Sequence, residues 1–284
     1  MDTPPPIVII GAPRSGTNML RDLLTGVPGL GTWPCDEINP IWRHGNRDFP
    51  SDELPPELAT PWVQSYVRRQ FLKIAKRRRA QVVVEKTCAN SLRVPFVHRI
   101  LPDARFVFIH RNGMDAIASA MQRWNGPGDL AYLMRKARFV PPTDALFQGR
   151  RFIVNRMRAF RGGSVQQKSW GPRITDMHVL LATRPLDEVC ALQWQRCVDL
   201  AGEYLLGLPK SQTYSISYED FVQDPLRGMN GLLGFIGGGH ECEPRSVAHV
   251  TSRSVGKGRQ QLSGEQQARL ERLIGPTLER WSHV

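Results

Sequence analysis

Ile7-Val8-Ile9-Ile10-Gly11-Ala12-Pro13-Arg14-Ser15-Gly16-Thr17-Asn18-Met19-Leu20 is the stretch whose reading decides the fold. Four apolar residues without alternation suit a strand covered on both faces. Gly11, Pro13 and Gly16 then break the run, and Met19-Leu20-Arg21-Asp22-Leu23-Leu24 resumes with helical periodicity. A strand, a tight loop and a helix in this order aim backbone N–H groups, at the positive end of a helix dipole, at an anion. What the loop lacks is equally informative. In G-x-x-x-x-G-K-[ST] a lysine follows the second glycine and a hydroxyl follows the lysine. Gly11 and Gly16 keep the spacing, but Thr17 and Asn18 stand at those two places and the cation comes earlier, at Arg14. The dinucleotide pattern G-x-G-x-x-G is absent. The loop suits an oxyanion and is poorly equipped for Mg²⁺-assisted transfer from ATP. Taken alone, it is also compatible with an ordinary strand–turn–helix corner.

The same rhythm continues outward. Gln81–Glu85 reads as a second buried strand, ending in Glu85-Lys86-Thr87-Cys88-Ala89-Asn90, and a helix follows to about Leu101. Arg105–His110 reads as a third strand, and Arg111-Asn112-Gly113 turns into a helix over Met114–Trp124. A helix over Leu186–Leu206, a strand over Gln212–Ser217 and a helix through Phe221–Ile236 complete the alternation. The final helix starts at Ser263, with Gln266 placed to close a capping box. Strands alternating with helices predict an α/β fold: a three-layer, P-loop-like parallel sheet flanked by helices. A mainly helical cap insertion is expected over 126–175, within one domain spanning 1–284. Residues 26–31 read as a turn-rich connection and 45–60 as polar surface loop. Pro61 opens a helix whose end, Lys76-Arg77-Arg78-Arg79, reads as a solvated, dipole-favoured terminus. In parallel sheets the ligand crevice lies at the carboxyl ends of the strands, where Arg14, Lys86 and Arg111 fall.

The composition agrees with an anionic ligand. The 284 residues carry 38 Lys+Arg against 26 Asp+Glu, a formal charge of +12, and are 41% hydrophobic, enough for a substantial core. Five scattered cysteines show no metal-ligand spacing and read as reduced thiols. Met1-Asp2-Thr3-Pro4-Pro5-Pro6 has no basic or apolar leader character, and no apolar run is long enough to span a bilayer. A cytoplasmic location is therefore expected.

Three motifs together resemble the sulfotransferases that use 3′-phosphoadenosine-5′-phosphosulfate (PAPS). The branch is the bacterial and protein-tyrosine/carbohydrate type, and the likeness covers roughly residues 7–125 and 186–282. Ala12-Pro13-Arg14-Ser15-Gly16-Thr17 is similar to that family's 5′-phosphosulfate loop, with Asn18 in place of a more usual Thr. Arg111-Asn112-Gly113-Met114-Asp115-Ala116-Ile117-Ala118-Ser119 is similar to its 3′-phosphate motif, with Asn112-Gly113 in place of Asp-Pro. Arg253-Ser254-Val255-Gly256-Lys257-Gly258-Arg259 resembles its closing C-terminal loop. The resemblance implies donor binding by Arg14, Ser15, Gly16, Thr17, Asn18, Arg111, Ser119, Tyr218, Lys257, Gly258 and Arg259. It implies catalysis by Glu37 as base, with Arg14 and Lys86 as cations and Asp36 as the reserve carboxylate. PAPS is the implied donor and its bisphosphate, PAP, the product, with no metal. The implied acceptor is a hydroxyl or amine of a small molecule, glycan or peptide, contacted by Asp36, Trp170 and Arg173; its identity is left open. His110 is expected on the 3′-phosphate side, and Trp194 is equally compatible with core and ligand contact. A homodimer is compatible with this reading, and no nucleic-acid partner is expected. Two other readings stay open on the residues alone: a P-loop small-molecule kinase, and a basic nucleic-acid-binding protein using Arg77–Arg79.

Overall fold

A strand with no polar face must be covered on both sides, and the chain does this for three of its strands. The computed structural model describes residues 4–125 and 170–282. In chain order the elements are β1 (Ile7–Ile10), α1 (Thr17–Thr25), β2 (Leu30–Gly31), α2 (Asn39–Trp42), α3 (Pro61–Arg78), β3 (Val82–Lys86), α4 (Val94–Ile100), β4 (Arg105–His110) and α5 (Gly113–Asn125). From residue 170 onward come α6 (Met177–Thr183), α7 (Leu186–Leu206), β5 (Thr213–Ser217), α8 (Tyr218–Gln223), α9 (Pro225–Ile236), α10 (Pro244–Val247), α11 (Lys257–Gln261) and α12 (Gly264–Ser282).

The five strands pair in the order β2-β3-β1-β4-β5, all parallel. Successive side chains of a strand project to opposite faces, so each apolar run feeds two cores. Val8, Ile10, Val83, Phe106 and Phe108 pack with α3, α4, α5, α7 and α12. Ile7, Ile9, Val82, Val84, Val107 and Ile109 pack with α1, α8 and α9. The expected three-layer α/β architecture is therefore present, with every loop that follows a strand delivered to one edge of the sheet.

Local signals explain most boundaries. Thr60 caps α3 by accepting from Val63 N at 3.4 Å, with Pro61 at the first helical position, and Arg79 ends the helix in the left-handed region. Ser263 and Gln266 exchange hydrogen bonds of 3.2 and 3.0 Å, the predicted capping box at the head of α12.

Three expectations need correction. Residues 26–31 end in a two-residue edge strand, Leu30–Gly31. The expected helix through Phe221–Ile236 is two helices, because Asp224 stops α8 and caps α9 through Arg227 N, with Pro225 as its first residue. Residues 45–60 are not wholly surface loop: Ser51, Asp52 and Leu54 are buried. Asp52 sits between Arg43, at 2.9 Å, and Arg93, at 3.7 Å, and its carboxyl is held below the usual range because these cations and the Arg173 N–H outweigh the opposing cost of burial.

The expected cap insertion, 126–175, lies outside the described residues over 126–169; the chain from Trp170 onward is tied down. Asp52 N donates to Arg173 O at 2.7 Å, Arg173 N donates back to Asp52 Oδ2 at 2.8 Å, and Gln193 Nε2 donates to the carbonyls of Trp170 and Pro172. Among the described residues, no helix is long and apolar enough to cross a membrane.

Candidate active site

The loop after β1 has its shape dictated by what crowds it. A Cβ on Gly11 would lie 2.6 Å from the Ile109 carbonyl oxygen. Gly16 has φ +87°, and a Cβ there would meet the Tyr218 ring at 2.5 Å. Between them Arg14 takes φ 69°, a left-handed conformation that costs a non-glycine residue about 1–2 kcal/mol. No side chain caps α1, so its first-turn amides have no intrahelical partner. Ser15 is fully buried, and its Oγ has no hydrogen-bond partner among the described residues. Strained backbone, open amides and an unpartnered buried hydroxyl converge on one point.

Above that point lies a cavity of about 360 Å³ lined by the loop, by α5 and by the segment from Ser254 to Gln261. Arg14 Nε donates to Ser119 Oγ at 2.9 Å, so the first and second motifs meet directly. Arg111 is a strut as well as a cation. It donates to Arg14 O at 3.0 Å and to Ser254 O at 2.7 Å, and its guanidinium lies 4.4 Å over the Tyr218 ring. Its Nε is buried without a partner among the described residues. Tyr218 Oη and Ser254 Oγ are 2.6 Å apart. Burial, then the neighbouring Arg111 and Arg123, push Arg14 below its ordinary pKa, as expected where cations gather around an anion's place.

Asp115 organises the third motif. Its carboxylate accepts from Gly256 N at 2.8 Å and Gly258 N at 2.5 Å, and lies 3.6 Å from Arg111. A Cβ on Gly258 would stand 2.4 Å from the backbone of Met114. The loop therefore docks flush on α5, with Lys257 on the cavity wall. Gly258→Ala should lift the loop and, if the bisphosphate expected from the sequence binds here, weaken its binding by at least tenfold, about 1.4 kcal/mol, while leaving the sheet intact. Isothermal calorimetry beside a thermal melt checks it. Arg259 is placed differently from Lys257: it is exposed, does not line the cavity, and gives only its carbonyl to Gln267.

A second cluster adjoins the first through Thr17. Thr17 lines the cavity, and its Oγ1 is 3.6 Å from Cys88 Sγ. Beyond Cys88 sits Glu37. Its Oε1 accepts from Lys86 Nζ and from Cys88 N, both at 3.3 Å. Lys86 is buried while Glu37 keeps some solvent access. Burial opposes the Lys86 charge, but Cys88 and the Glu37 carboxylate outweigh it and hold the ammonium above its ordinary pKa. Asp36 points elsewhere, pinned by Arg21 through its carbonyl at 3.2 Å and its Oδ1 at 3.4 Å.

The remaining sequence candidates lie apart. Trp170 is half-buried against the main core, and Arg173 is held by its backbone to Asp52; neither lines the cavity. His110 is buried beside Phe108 and Trp281, and burial lowers its pKa, so it faces the core and not the 3′-phosphate side. Trp194 is buried under the start of α5, where a Cβ on Gly113 would lie 2.8 Å from its ring. Five lining residues had no role assigned from sequence: Met19, Asp115, Gln122, Ser254 and Gln261. The i,i+4 spacing of Arg111 and Asp115 was the available signal for Asp115.

A profile of the sulfotransferase family matches residues 5–161, more than half of the chain. A search of the curated proteins finds no match. Among solved structures the chain is similar to the sulfotransferase domain from the curacin biosynthetic pathway, at 13% identity and TM-score 0.53, covering 97% of this chain and 99% of that one. It is also similar to the sulfotransferase domain of the Synechococcus PCC 7002 olefin synthase, at 14% identity and TM-score 0.53, covering 97% and 96%. Sulfotransferase STF9 from Mycobacterium avium gives 12% identity and TM-score 0.50, covering 99% of this chain and 77% of that one.

Proposed function

Since the chain belongs to the sulfotransferase family, we propose that it moves a sulfuryl group from PAPS to a hydroxyl or amine acceptor, as one catalytic domain. The observation that carries this reading is the convergence of Arg14, Arg111, Ser119 and Lys257 on one cavity above the open end of α1. The donor set suits a nucleoside bisphosphate. Three cations line the cavity beside the hydroxyls of Thr17, Ser119 and Tyr218. The lining carboxylate, Asp115, already accepts from two backbone amides. The Ser15 Oγ, buried without a partner among the described residues, is a donor for an oxyanion.

When bound, the donor supplies an activated sulfuryl group on a phosphosulfate anhydride. The chain's own residues do the rest. The α1 amides, Ser15, Thr17 and Asn18 hold the 5′ side; Arg111, Ser119 and Lys257 hold the 3′-phosphate. Arg14 places positive charge where negative charge grows on the leaving phosphate. Glu37 receives the acceptor's proton on a carboxylate oxygen. Lys86, kept charged beside it, orients that carboxylate and faces the transferring group. The acceptor is a small-molecule, glycan or peptide hydroxyl or amine, entering on the Glu37 side.

Calorimetry with PAP and with ATP tests the reading. PAP is expected to bind at least a hundredfold tighter, about 2.7 kcal/mol, with EDTA changing neither isotherm. Tight, Mg²⁺-dependent ATP binding with turnover would replace this reading by a kinase.

A further inference from the structure

The mechanism above makes no use of Glu85, although this carboxylate is wholly buried at the end of β3. A charge in that position is costly unless donors surround it, and here three do. Thr87 Oγ1 donates to Glu85 Oε1 at 2.6 Å, Trp42 Nε1 donates to the same oxygen at 3.1 Å, and Asn90 Nδ2 donates to Oε2 at 2.9 Å. Burial still raises its pKa, to about 7.

The direction of one bond matters. The Thr87 hydroxyl has a single proton, and Ile38 N, 3.1 Å from Thr87 Oγ1, can only donate. The hydroxyl therefore accepts from Ile38 and gives its proton to Glu85. Ile38 N belongs to the peptide bond that joins it to Glu37. Fixing that nitrogen fixes the main chain from which the Glu37 carboxylate projects. By contrast, the bonds that Lys86 Nζ and Cys88 N make to the carboxylate itself are long, 3.3 Å each.

The strand period explains how three consecutive residues grip one loop from two sides. Lys86 takes the side chain of Glu37, while Thr87, held by Glu85, takes the backbone N–H of Ile38. Farther along, Arg93 donates to Asn39 Oδ1 at 2.6 Å, and Trp42 closes the seam on Glu85. The segment 37–42 is thus stitched to 85–93 along its length.

We propose that Thr87, oriented by Glu85, is a positioning residue that sets the place of the Glu37 carboxylate against the acceptor. This rests on the reading of Glu37 as the base. Neither Thr87 nor Glu85 lines the nucleotide cavity, so the effect belongs to turnover and not to donor binding.

The test is Thr87→Val, close to isosteric, beside Thr87→Ser, assayed by labelled-sulfate transfer and PAP calorimetry on the same preparations. In Thr87→Val, kcat is expected to fall about 30- to 100-fold, with the PAP Kd within about twofold of the parent. Thr87→Ser keeps the hydroxyl and should return kcat to within about threefold. A residue that merely packs would lower the melting temperature of both variants without splitting kcat from Kd. Should Thr87→Val fail to fold, Thr87→Ala makes the same deletion and is read the same way. The proposal is overturned if the hydroxyl-free variant keeps parental kcat, or if serine fails to rescue it. If the parent protein neither binds PAP nor transfers sulfate, the functional reading itself fails and this proposal falls with it.

Discussion

Arg14→Ala is expected to slow sulfate transfer by at least a thousandfold, about 4 kcal/mol of barrier, while the protein melts within a few degrees of the parent. Both halves follow from where the residue sits. Among the described residues its side chain hydrogen-bonds to Ser119 alone, and it belongs to neither apolar core, so little packing is lost. Its backbone is what the fold uses: Arg111 donates to the Arg14 carbonyl, which alanine retains. Alanine also inherits the left-handed φ at a similar steric cost, so the variant isolates the guanidinium. What disappears is a fixed positive charge beside a developing negative one, and single donors of that kind contribute about 2.7–4 kcal/mol. Single-turnover transfer and a thermal melt on one preparation suffice. Activity retained within about tenfold would remove Arg14 from the chemistry.

The second large effect is expected at Glu37. Glu37→Gln should lower kcat by about 10² to 10⁴, the usual range for removing a general base, and leave PAP affinity unchanged. Glutamine keeps the volume and still accepts from Lys86 or Cys88 N, so the loop stays in place. It cannot take the acceptor's proton. Asp36→Asn is the comparison, because its neighbour is the other carboxylate on that segment. Asp36 is turned toward Arg21 and should tolerate the change within about threefold in kcat. If Asp36→Asn is the damaging variant and Glu37→Gln is not, the base is Asp36.

Much of the frame was readable because it depends on local pattern. Unalternating runs such as Val82–Val84 and Phe106–Ile109 have no solution except a strand covered on both faces, and Pro61 and the Ser263–Gln266 box mark helix starts by the chemistry of their own side chains. What escaped was long-range or very short. Leu30–Gly31 is too brief to show a period and is a strand only because Val82 and Val83 lie beside it. Asp52 reads as surface because acidic residues in a polar, Pro-rich loop usually are; its burial depends on Arg43 and on Arg93, and nothing in the sequence pairs those charges. The site divides the same way. Arg14, Arg111 and Lys257 stood in motifs and do face one cavity. The clasp of Asp115 on Gly256 and Gly258 joins residues 141 and 143 positions apart, which only the folded chain brings together.

That spacing has a consequence for how the protein is assembled. The cavity's walls come from residue 14, from residues 111–119 and from residues 254–261, nearly the whole length of the chain. A growing or truncated polypeptide that stops short of Ser254 has no third wall and no lysine to offer. If the cavity holds the proposed bisphosphate, then by mass action PAP should raise the melting temperature of the full chain and leave that of a chain cut before Ser254 unchanged.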